Sequence, residues 1–490
     1  MGLIRFLVHP PGRLDEETAR QGYFAGPDLV PWRSRNRLVD GVLLVELYDD
    51  DSGNFHISWH VERRGSLVLS TGTLMQRELS YLLPLELARG TVNRLRQQLA
   101  EWQGLGLAVS GKILERVHEA IVLLAEAASR QQHPDEASQY ADRAIVVALR
   151  AADRLVAAYT RQSFAVRHRR LPRLPTALGV HLGEIPADHD VLAAVAPALN
   201  SAVVAFNWHE CEASEGTYCW ENYDRQLAWA ARQGMQVFGG PLLRLASDGL
   251  PDWLCLWEGD FDNLLAIATD YIETVVTRYQ GQVHHWLCAA WMNRGNVMSL
   301  SEEERLHLAV RAIEVTDRID PQSSRILGLH QPWAEDLPPH DLGFSPLQVA
   351  DALVRSGLRL NGLALQIEVG YAPGGTIERH LLQWNRLIDV WSCFGLPLYI
   401  SLCCPSRDTV DPRNQQHVRI LPDGWSPKRQ ARWAQRLVGL LLARPTVHGV
   451  FWSQLTDTLP GLPHAGLFDE ANRPQPVLSV LSELRQQHLN

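Results

Sequence analysis

The feature that most constrains the fold of this chain is a repeated alternation of short apolar runs with amphipathic helical segments after Pro175. Eight runs of strand length occur there, at residues 177–182, 202–206, 236–238, 283–288, 325–329, 362–367, 397–401 and 447–452. Strands that alternate with helices form parallel sheets with the helices packed outside them. Eight such units predict an α/β fold, a (β/α)8 TIM barrel over residues 176–490, closed by a last helix at 477–488.

In the first 165 residues the apolar residues recur with different periods. Residues 1–83 contain short alternating runs separated by turn residues, which predict a small antiparallel β domain. In residues 84–165 the apolar period becomes 3.6, which predicts helices that pack on that domain or on the barrel. The predicted helices cover 84–103, 111–131 and 135–162. The basic, proline-containing segment 166–175 is interpreted as a linker.

Composition and charge exclude several classes of protein. The formal net charge is −9, and no run of Lys and Arg is long enough to follow a phosphate backbone, so we expect no nucleic-acid partner. The start of the chain has no secretion-type apolar region, and no run reaches the ~18 to 20 apolar residues of a membrane helix. The seven cysteines lack metal or redox spacing, and most lie in apolar surroundings. These features predict a cytoplasmic protein without membrane contact.

No motif indicates a metal or a cofactor. His284 and His285 are adjacent on a predicted strand, so their side chains point to opposite faces and do not ligate one ion together. We therefore expect neither a metal nor a cofactor.

Several short sequence motifs resemble those of glycoside hydrolase family 10, the endo-1,4-beta-xylanases. They are the run 206–216 with Trp220 and Asp224, the runs 234–239 and 250–253, and, near the end, Trp452, 466–469 and 474–476. The resemblance covers about 300 residues and implies a barrel that binds and cleaves a β-linked polysaccharide. In such retaining enzymes one carboxyl is the nucleophile and a second, about 5 Å away, is the acid/base.

At the positions that carry this chemistry the sequence departs from the family pattern. Trp291 stands where the resemblance places the acid/base glutamate, and Leu402 stands where it places the nucleophile. Asn207 replaces the lysine of a Lys-Trp pair whose tryptophan is Trp208. Loss of both carboxyls removes the retaining mechanism.

Other acids follow the predicted strands and are candidates to replace the lost pair. Gln366-Ile-Glu368 corresponds to a Gln-x-His phrase of the family, so Glu368 occupies the position of a histidine that orients the nucleophile. We treat Glu368 and Glu212 as catalytic candidates; the alternative is a salt-bridge role for Glu368 and a turn role for Glu212. Further acids at predicted strand ends are Glu184, Glu210, Glu335, Asp336 and Asp457.

Tryptophans are frequent near the predicted strand ends, where an indole face can stack on a sugar ring. The residues predicted to contact substrate are Asn207, Trp208, Gln366, Trp286, Trp333 and Trp452. The remaining tryptophans of this group are Trp220, Trp253 and Trp291. For each tryptophan taken alone, core packing is the alternative.

Three hypotheses of function follow. The first is a barrel without catalysis that binds a polysaccharide, an oligosaccharide or a protein partner. Binding would use the cleft that holds the substrate in the family it resembles. The second is an active β-glycan hydrolase with relocated carboxylates centred on Glu368. The third is an assembly or scaffold protein whose N-terminal region mediates contacts. We favour the first, because a shared fold does not carry activity when the chemical groups are absent.

Overall fold

The computed structural model describes residues 2–48, 51–183, 189–246, 248–293, 297–335, 343–408, 418–421, 423–458 and 461–490, without the side chains of 189 and 190. The chain forms two compact units. Unit 1 comprises Met1–Val166, Trp333–Leu342 and Ile377–Val390. Unit 2 comprises Arg167–Pro332, Gly343–Thr376 and Trp391–Asn490.

Unit 1 begins with strands that form two sheets. The strands are β1 (Gly2–Leu7), β2 (Tyr23–Ala25), β3 (Ser34–Val39), β4 (Val42–Leu47), β5 (Gly53–Val61), β6 (Gly65–Leu74) and β7 (Tyr81–Leu82). One sheet has the order β3-β4-β1-β7 and the other has the order β2-β5-β6. The single antiparallel sheet expected from the sequence is thus two sheets. Both contribute aromatic side chains to one core, in which the Phe6 ring lies 4.9 Å from that of Phe55 and the Phe24 ring 5.1 Å from that of Phe55.

Four helices accompany these strands. They are α1 (Glu16–Gln21), α2 (Leu83–Gly104), α3 (Gly111–Ser129) and α4 (Pro134–Arg170). The last three correspond to the predicted helices, but α4 continues through the first half of the segment interpreted as a linker. Helix α2 packs directly on β6, where Gly90 allows the backbones to approach closely. A Cβ atom at Gly90 would lie 2.0 Å from the carbonyl oxygen of Ser70.

Unit 2 contains the barrel. Its strands are β8 (Ala177–His181), β9 (Ser201–Val204), β10 (Gln236–Gly239), β11 (Leu243–Arg244), β12 (His285–Ala290), β13 (Ser324–His330), β14 (Gly362–Glu368), β15 (Tyr371–Ala372), β16 (Leu398–Cys403), β17 (Arg419–Ile420) and β18 (Val447–Trp452). Eight of them, β8, β9, β10, β12, β13, β14, β16 and β18, pair in parallel in that order, and β18 pairs with β8. The sheet is therefore a closed eight-stranded parallel barrel. The eight predicted strands correspond to these eight, so the predicted TIM barrel is confirmed.

Helices follow the barrel strands. They are α5 (His189–Ala198), α6 (Trp208–Cys211), α7 (Glu221–Arg232), a 3-10 helix (Asp252–Trp257), α8 (Phe261–Tyr279), α9 (Glu302–Ile319), α10 (Pro346–Arg355), α11 (Leu381–Ser392), α12 (Pro427–Ala443) and α13 (Pro476–His488). Most of α11 belongs to unit 1. Within the described part of the chain, none of the helices is long and apolar enough to cross a membrane.

Side chains fill the interior of the barrel. The buried cluster consists of Ala177, Val203, Phe238, Ile326, Tyr399 and Phe451, one from each of six strands. Successive side chains of a strand point to opposite faces, so this cluster fixes which positions further along each strand also point inward.

Candidate functional site

The carboxyl ends of the barrel strands carry a group of polar side chains. On β16 the interior residue Tyr399 places Ser401 and Cys403 on the same inward side, because the side-chain period of a strand is two. By the same alternation Gln366 and Glu368 point inward on β14, two and four residues after Ala364. Barrel active sites lie at this end, so these positions define the candidate site.

Glu368 is the central acid of this group. Its Oε1 accepts a hydrogen bond of 3.0 Å from the Gln366 amide, and its Oε2 lies 4.0 Å from Nε2 of His330 on the neighbouring strand β13. The side-chain amide oxygen of Gln366, Oε1, in turn accepts a hydrogen bond of 3.4 Å from the Trp291 indole. We call Trp291, His330, Gln366 and Glu368 the Glu368 network.

The surroundings of Glu368 favour its charged form. Burial would raise the pKa of this carboxyl, but His330, the Gln366 amide and the charge of Arg244 together hold the pKa below its ordinary value. A carboxylate that receives hydrogen bonds and faces a cation stays ionised. Glu368 is therefore a base or an anionic hydrogen-bond acceptor at neutral pH and not a proton donor.

Trp291 is held in place at the end of β12. Its ring lies 4.1 Å from the His330 ring, and the Arg244 guanidinium lies over the indole, 5.0 Å from the ring centroid. Its φ is 64°, in the left-handed region, which costs a residue with a Cβ about 1 kcal/mol or more. Such conformations are retained where the surroundings hold a side chain in a required position.

A second polar chain crosses the same end of the barrel. Nε2 of His181 and Oγ of Ser401 share a hydrogen bond of 2.9 Å, and Oγ of Ser401 lies 3.2 Å from Oγ of Ser453. Burial lowers the pKa of His181 to about 4, although the charge of Glu368 acts in the opposite direction. The imidazole is thus neutral at pH 7 and is available for hydrogen bonding.

The seventh strand presents no carboxylate to the interior. Leu402, which the resemblance aligned with the nucleophile, lies between the inward residues Ser401 and Cys403, and its side chain is buried on the outer face. Burial and the charge of Glu368 raise the pKa of the Cys403 thiol well above its ordinary value, so it remains protonated. Neither inward residue of this strand end supplies an anion.

Glu212, the other catalytic candidate, is engaged in the turn after β9. Its carboxylate accepts hydrogen bonds of 2.8 Å from the Trp208 indole and 2.8 Å from the backbone N–H of Gly216. Trp253 donates a hydrogen bond of 3.0 Å to the Glu212 carbonyl oxygen. These contacts join the sequence motifs that carry the family resemblance, and they are the contacts expected of the turn role that is the alternative for Glu212.

The remaining acids lie in separate surroundings. Asp457, after β18, accepts a hydrogen bond of 2.7 Å from the Gly466 N–H, and burial raises its pKa to about 6. Glu335 belongs to unit 1, where it pairs with Arg379. Glu210 accepts a hydrogen bond of 3.3 Å from Asn207. Glu184 and Asp336 lie outside the described residues.

The four tryptophans predicted to contact substrate are core residues. Trp208, Trp286, Trp333 and Trp452 are each at most 2% exposed. The indoles of three donate internal hydrogen bonds: Trp208 to Glu212, Trp286 to Asp320 and Trp452 to the Ala465 carbonyl oxygen. Buried to this extent they present no face to a ligand, whereas Trp291 is partly exposed.

Three buried amide oxygens close to the strand ends are without a hydrogen-bond partner among the described residues. They are Oδ1 of Asn207, Oδ1 of Asn293 and Oε1 of Gln331. Buried polar atoms are almost always paired, so such atoms mark places where a ligand or water completes the pairing. Asn207 was predicted from the sequence, and Gln331 and Asn293 were not.

Sequence reasoning also missed His181, Arg244 and His330. His330 directly follows the predicted fifth strand, and His181 lies one residue before the end of the predicted first strand, so their positions at strand ends were a usable signal. Arg244 lies on β11, a two-residue strand that pairs with the end of β12, and no sequence pattern indicated it. In the described part of the chain, no three His, Cys, Asp or Glu side chains are grouped to hold a metal ion.

Comparison with known proteins relates this barrel to one family. The model of glycosyl hydrolase family 10 matches residues 193–288. Endo-1,4-beta-xylanase B of Thermotoga neapolitana is 22% identical over 304 residues, which are 58% of this chain and 79% of that protein. Endo-1,4-beta-xylanase C of Paenibacillus barcinonensis is 30% identical over 95 residues, 18% of this chain and 9% of that protein.

Comparison with solved structures also finds a similar barrel. The crystal structure of native xylanase 10B from Thermotoga maritima superimposes with a TM-score of 0.50 and 17% identity, covering 64% of this chain and 95% of that one. At this identity the likeness establishes the fold and no more.

Proposed function

Starting from a barrel similar to glycosyl hydrolase family 10, we propose that unit 2 binds a β-linked oligosaccharide at the carboxyl ends of its strands and does not cleave it by the two-carboxylate route. The observation that carries the proposal is the Glu368 network. It is an ordered set of hydrogen-bonding groups, with one ionised carboxylate, at the end of the barrel where ligands of this fold bind.

Within the described residues, the lack of a second carboxylate in contact with Glu368 supports binding without turnover. Retaining hydrolysis needs two carboxyls about 5 Å apart, and inverting hydrolysis needs a wider pair with opposite roles. The fourth strand ends in Ala290 and Trp291, and the seventh presents Ser401 and Cys403. Among the described residues, the polar partners of the Glu368 carboxylate are Gln366 and His330, neither of which is an acid.

The same end of the barrel offers what a sugar requires. Sugar rings present hydroxyl groups that donate and accept hydrogen bonds, together with an apolar C–H face that stacks on aromatic rings. Glu368, Asn207 and Gln331 offer acceptors, and Trp291 offers a partly exposed indole. We therefore assign Asn207, Trp291, Gln366 and Glu368 as the residues that contact the oligosaccharide.

Binding is tested by calorimetry with xylo-oligosaccharides and other β-linked oligosaccharides. We expect saturable binding that Glu368→Gln weakens about tenfold, the loss of one charge-assisted hydrogen bond. Glu303→Gln, on the exposed face of α9, is the matched control and leaves affinity unchanged. Absence of binding by the folded parent protein to every oligosaccharide contradicts the proposal.

One observation favours a second function, hydrolysis by relocated carboxylates. The pKa of Glu368 is lowered while that of Asp457 is raised to about 6, and opposite shifts of this kind separate an ionised base from a proton donor. Release of reducing ends from β-glycans by the parent, abolished by both Glu368→Gln and Asp457→Asn, supports hydrolysis. Binding without release of reducing ends supports the first proposal.

A further inference from the structure

Unit 1 contains three arginine side chains whose charges act on one buried histidine, His56. Ser70, whose hydroxyl accepts a hydrogen bond from Arg94, pairs with His56 across β5 and β6. Arg94 lies on α2, and Arg379 and Arg386 lie in the segment Ile377–Val390. Burial, followed by the charges of Arg386 and Arg379, lowers the pKa of Arg94 to about 10. Like charges that lie together in a folded protein destabilise it unless an anion compensates them.

The most buried of the three is Arg379. Its side chain is 1% exposed, and its guanidinium pairs with Glu335. The guanidinium also donates a hydrogen bond of 3.0 Å to the Tyr23 hydroxyl and lies 4.4 Å from the centre of the Trp333 ring. Its Nε has no hydrogen-bond partner among the described residues. Within the described part of the chain, one guanidinium donor of Arg379 thus stays unused.

The other two arginines bond to neutral acceptors. Arg94 donates to the hydroxyl of Ser70, and Arg386 donates a hydrogen bond of 3.2 Å to the carbonyl oxygen of Pro27. Asp28, an exposed residue, acts on Arg386 through its charge. Within the described residues, Arg94 therefore has no direct carboxylate partner.

A buried histidine, His56, lies close to this group. His56 is 5% exposed, and its ring stacks on Tyr23 at 4.9 Å with the two planes 1° apart. Neither ring nitrogen has a hydrogen-bond partner among the described residues. Burial and the charges of Arg379, Arg94 and Arg386 hold the pKa of His56 well below its ordinary range, so its ring is neutral. A buried donor left unpaired destabilises the folded protein.

We propose that His56, Arg94, Arg379 and Arg386 form a binding site for a small oxyanion, a phosphate, sulfate or carboxylate group. Such an anion accepts from the imidazole N–H and from the unused guanidinium donors, and its charge offsets the repulsion among the arginines. Arg94 and Arg386 are partly exposed, which leaves the site in contact with solvent. The site lies in unit 1 and does not depend on the function proposed for the barrel.

The first probe is inorganic phosphate, titrated by calorimetry into the full chain in a phosphate-free buffer of constant ionic strength. We expect saturable binding of one phosphate per chain and a rise of the thermal midpoint, because a ligand that binds the folded state stabilises it. Arg94→Gln and Arg386→Gln each weaken binding about tenfold or more, the scale of one charge-assisted pair. Arg96→Gln, an exposed position on the same helix, is the control and binds like the parent.

Sulfate and acetate, titrated in the same way, distinguish a tetrahedral oxyanion from a carboxylate. Circular dichroism of each variant verifies folding before titration. Folded parent protein that shows no saturable binding of phosphate, sulfate or acetate overturns the proposal. So does Arg96→Gln losing as much affinity as Arg94→Gln, since the effect is then one of net charge.

Discussion

Glu368 and His330 face each other from neighbouring barrel strands, with 4.0 Å between the carboxylate Oε2 and the imidazole Nε2. The side chain of Glu368 is 13% exposed and that of His330 is 1% exposed, so the pair is largely shielded from water. Because this contact helps to lower the pKa of Glu368, the carboxylate contributes to how the stability of the protein depends on pH.

We predict that Glu368→Gln lowers the free energy of unfolding at pH 7 by about 1 to 3 kcal/mol, the cost of losing a buried charged acceptor. The folded-state pKa of Glu368 lies below the ordinary 4.5, so the charged form is favoured by folding. Its contribution is present above pH 4.5 and is lost as the pH falls through the lower folded-state value. Urea unfolding of parent and variant from pH 7 to pH 3 measures this, and a difference that does not shrink on acidification contradicts it.

The pKa of Asp457 is shifted in the direction opposite to that of Glu368, so its effect on stability has the opposite dependence on pH. Its folded-state pKa of about 6 lies above the ordinary 3.8, so folding favours the protonated carboxyl, and stability is lost as the pH rises from 4 through 6. We predict that Asp457→Asn, which cannot ionise, raises the free energy of unfolding at pH 8 by about 1 to 3 kcal/mol relative to the parent. At pH 4 the two proteins unfold alike. The test is chemical unfolding at both pH values, and equal stability at pH 8 counts against the assignment.

Close packing of α2 on β6 gives a third prediction. A Cβ at Gly90 meets the Ser70 carbonyl oxygen at 2.0 Å and the Thr71 backbone at 2.5 Å, so Gly90→Ala forces helix and strand apart and destabilises the fold by about 1 to 3 kcal/mol. Gly104, at the end of the same helix, has nothing within 4 Å of such a Cβ. The matched Gly104→Ala variant keeps the thermal midpoint of the parent or raises it. Equal midpoints for both variants contradict the prediction.

The buried hydrogen bond between Trp286 and Asp320 gives a fourth prediction. The Trp286 indole donates a hydrogen bond of 3.0 Å to the carboxylate of Asp320, a residue that is 3% exposed. Trp286→Phe leaves that carboxylate without this donor and reduces the buried volume, at a cost of about 2 to 4 kcal/mol. Trp257→Phe, at a partly exposed position, is the control and costs less than about 1 kcal/mol. Unfolding by urea compares the two.

The sequence was sufficient to predict the barrel because its strands are apolar runs separated by helices with one apolar face. The alternation along each strand also carried information about the site. Tyr399 and Ser401 differ by two positions and Leu402 by three, so a strand period of two already separates the inward Ser401 from the outward Leu402. The period alone does not say which face of the strand points to the barrel axis. The motifs that resemble the family did not supply that direction.

Other features could not be predicted because they depend on contacts between distant residues. His330 and Glu368 are 38 positions apart, and nothing local to either indicates that their strands pair in the register that joins them. The burial of Trp208 and Trp452 is likewise decided by packing, since an apolar residue at a strand end is consistent with both the core and a ligand surface. The two-sheet arrangement of unit 1 depends on which strands pair across the chain.

Unit 1 is discontinuous: it takes in Ile377–Val390, whose Glu378 carbonyl oxygen accepts a hydrogen bond of 3.0 Å from the backbone of Val68. Chains are synthesised from the amino terminus, and domains generally fold as units during that synthesis. The N-terminal sheets and helices therefore emerge from the ribosome without one of their own parts and wait for more than 200 further residues before it is made. Order of synthesis and order of folding are thereby separated in this protein, and fragments that stop before residue 390 are expected to be incomplete in unit 1 as well as in the barrel.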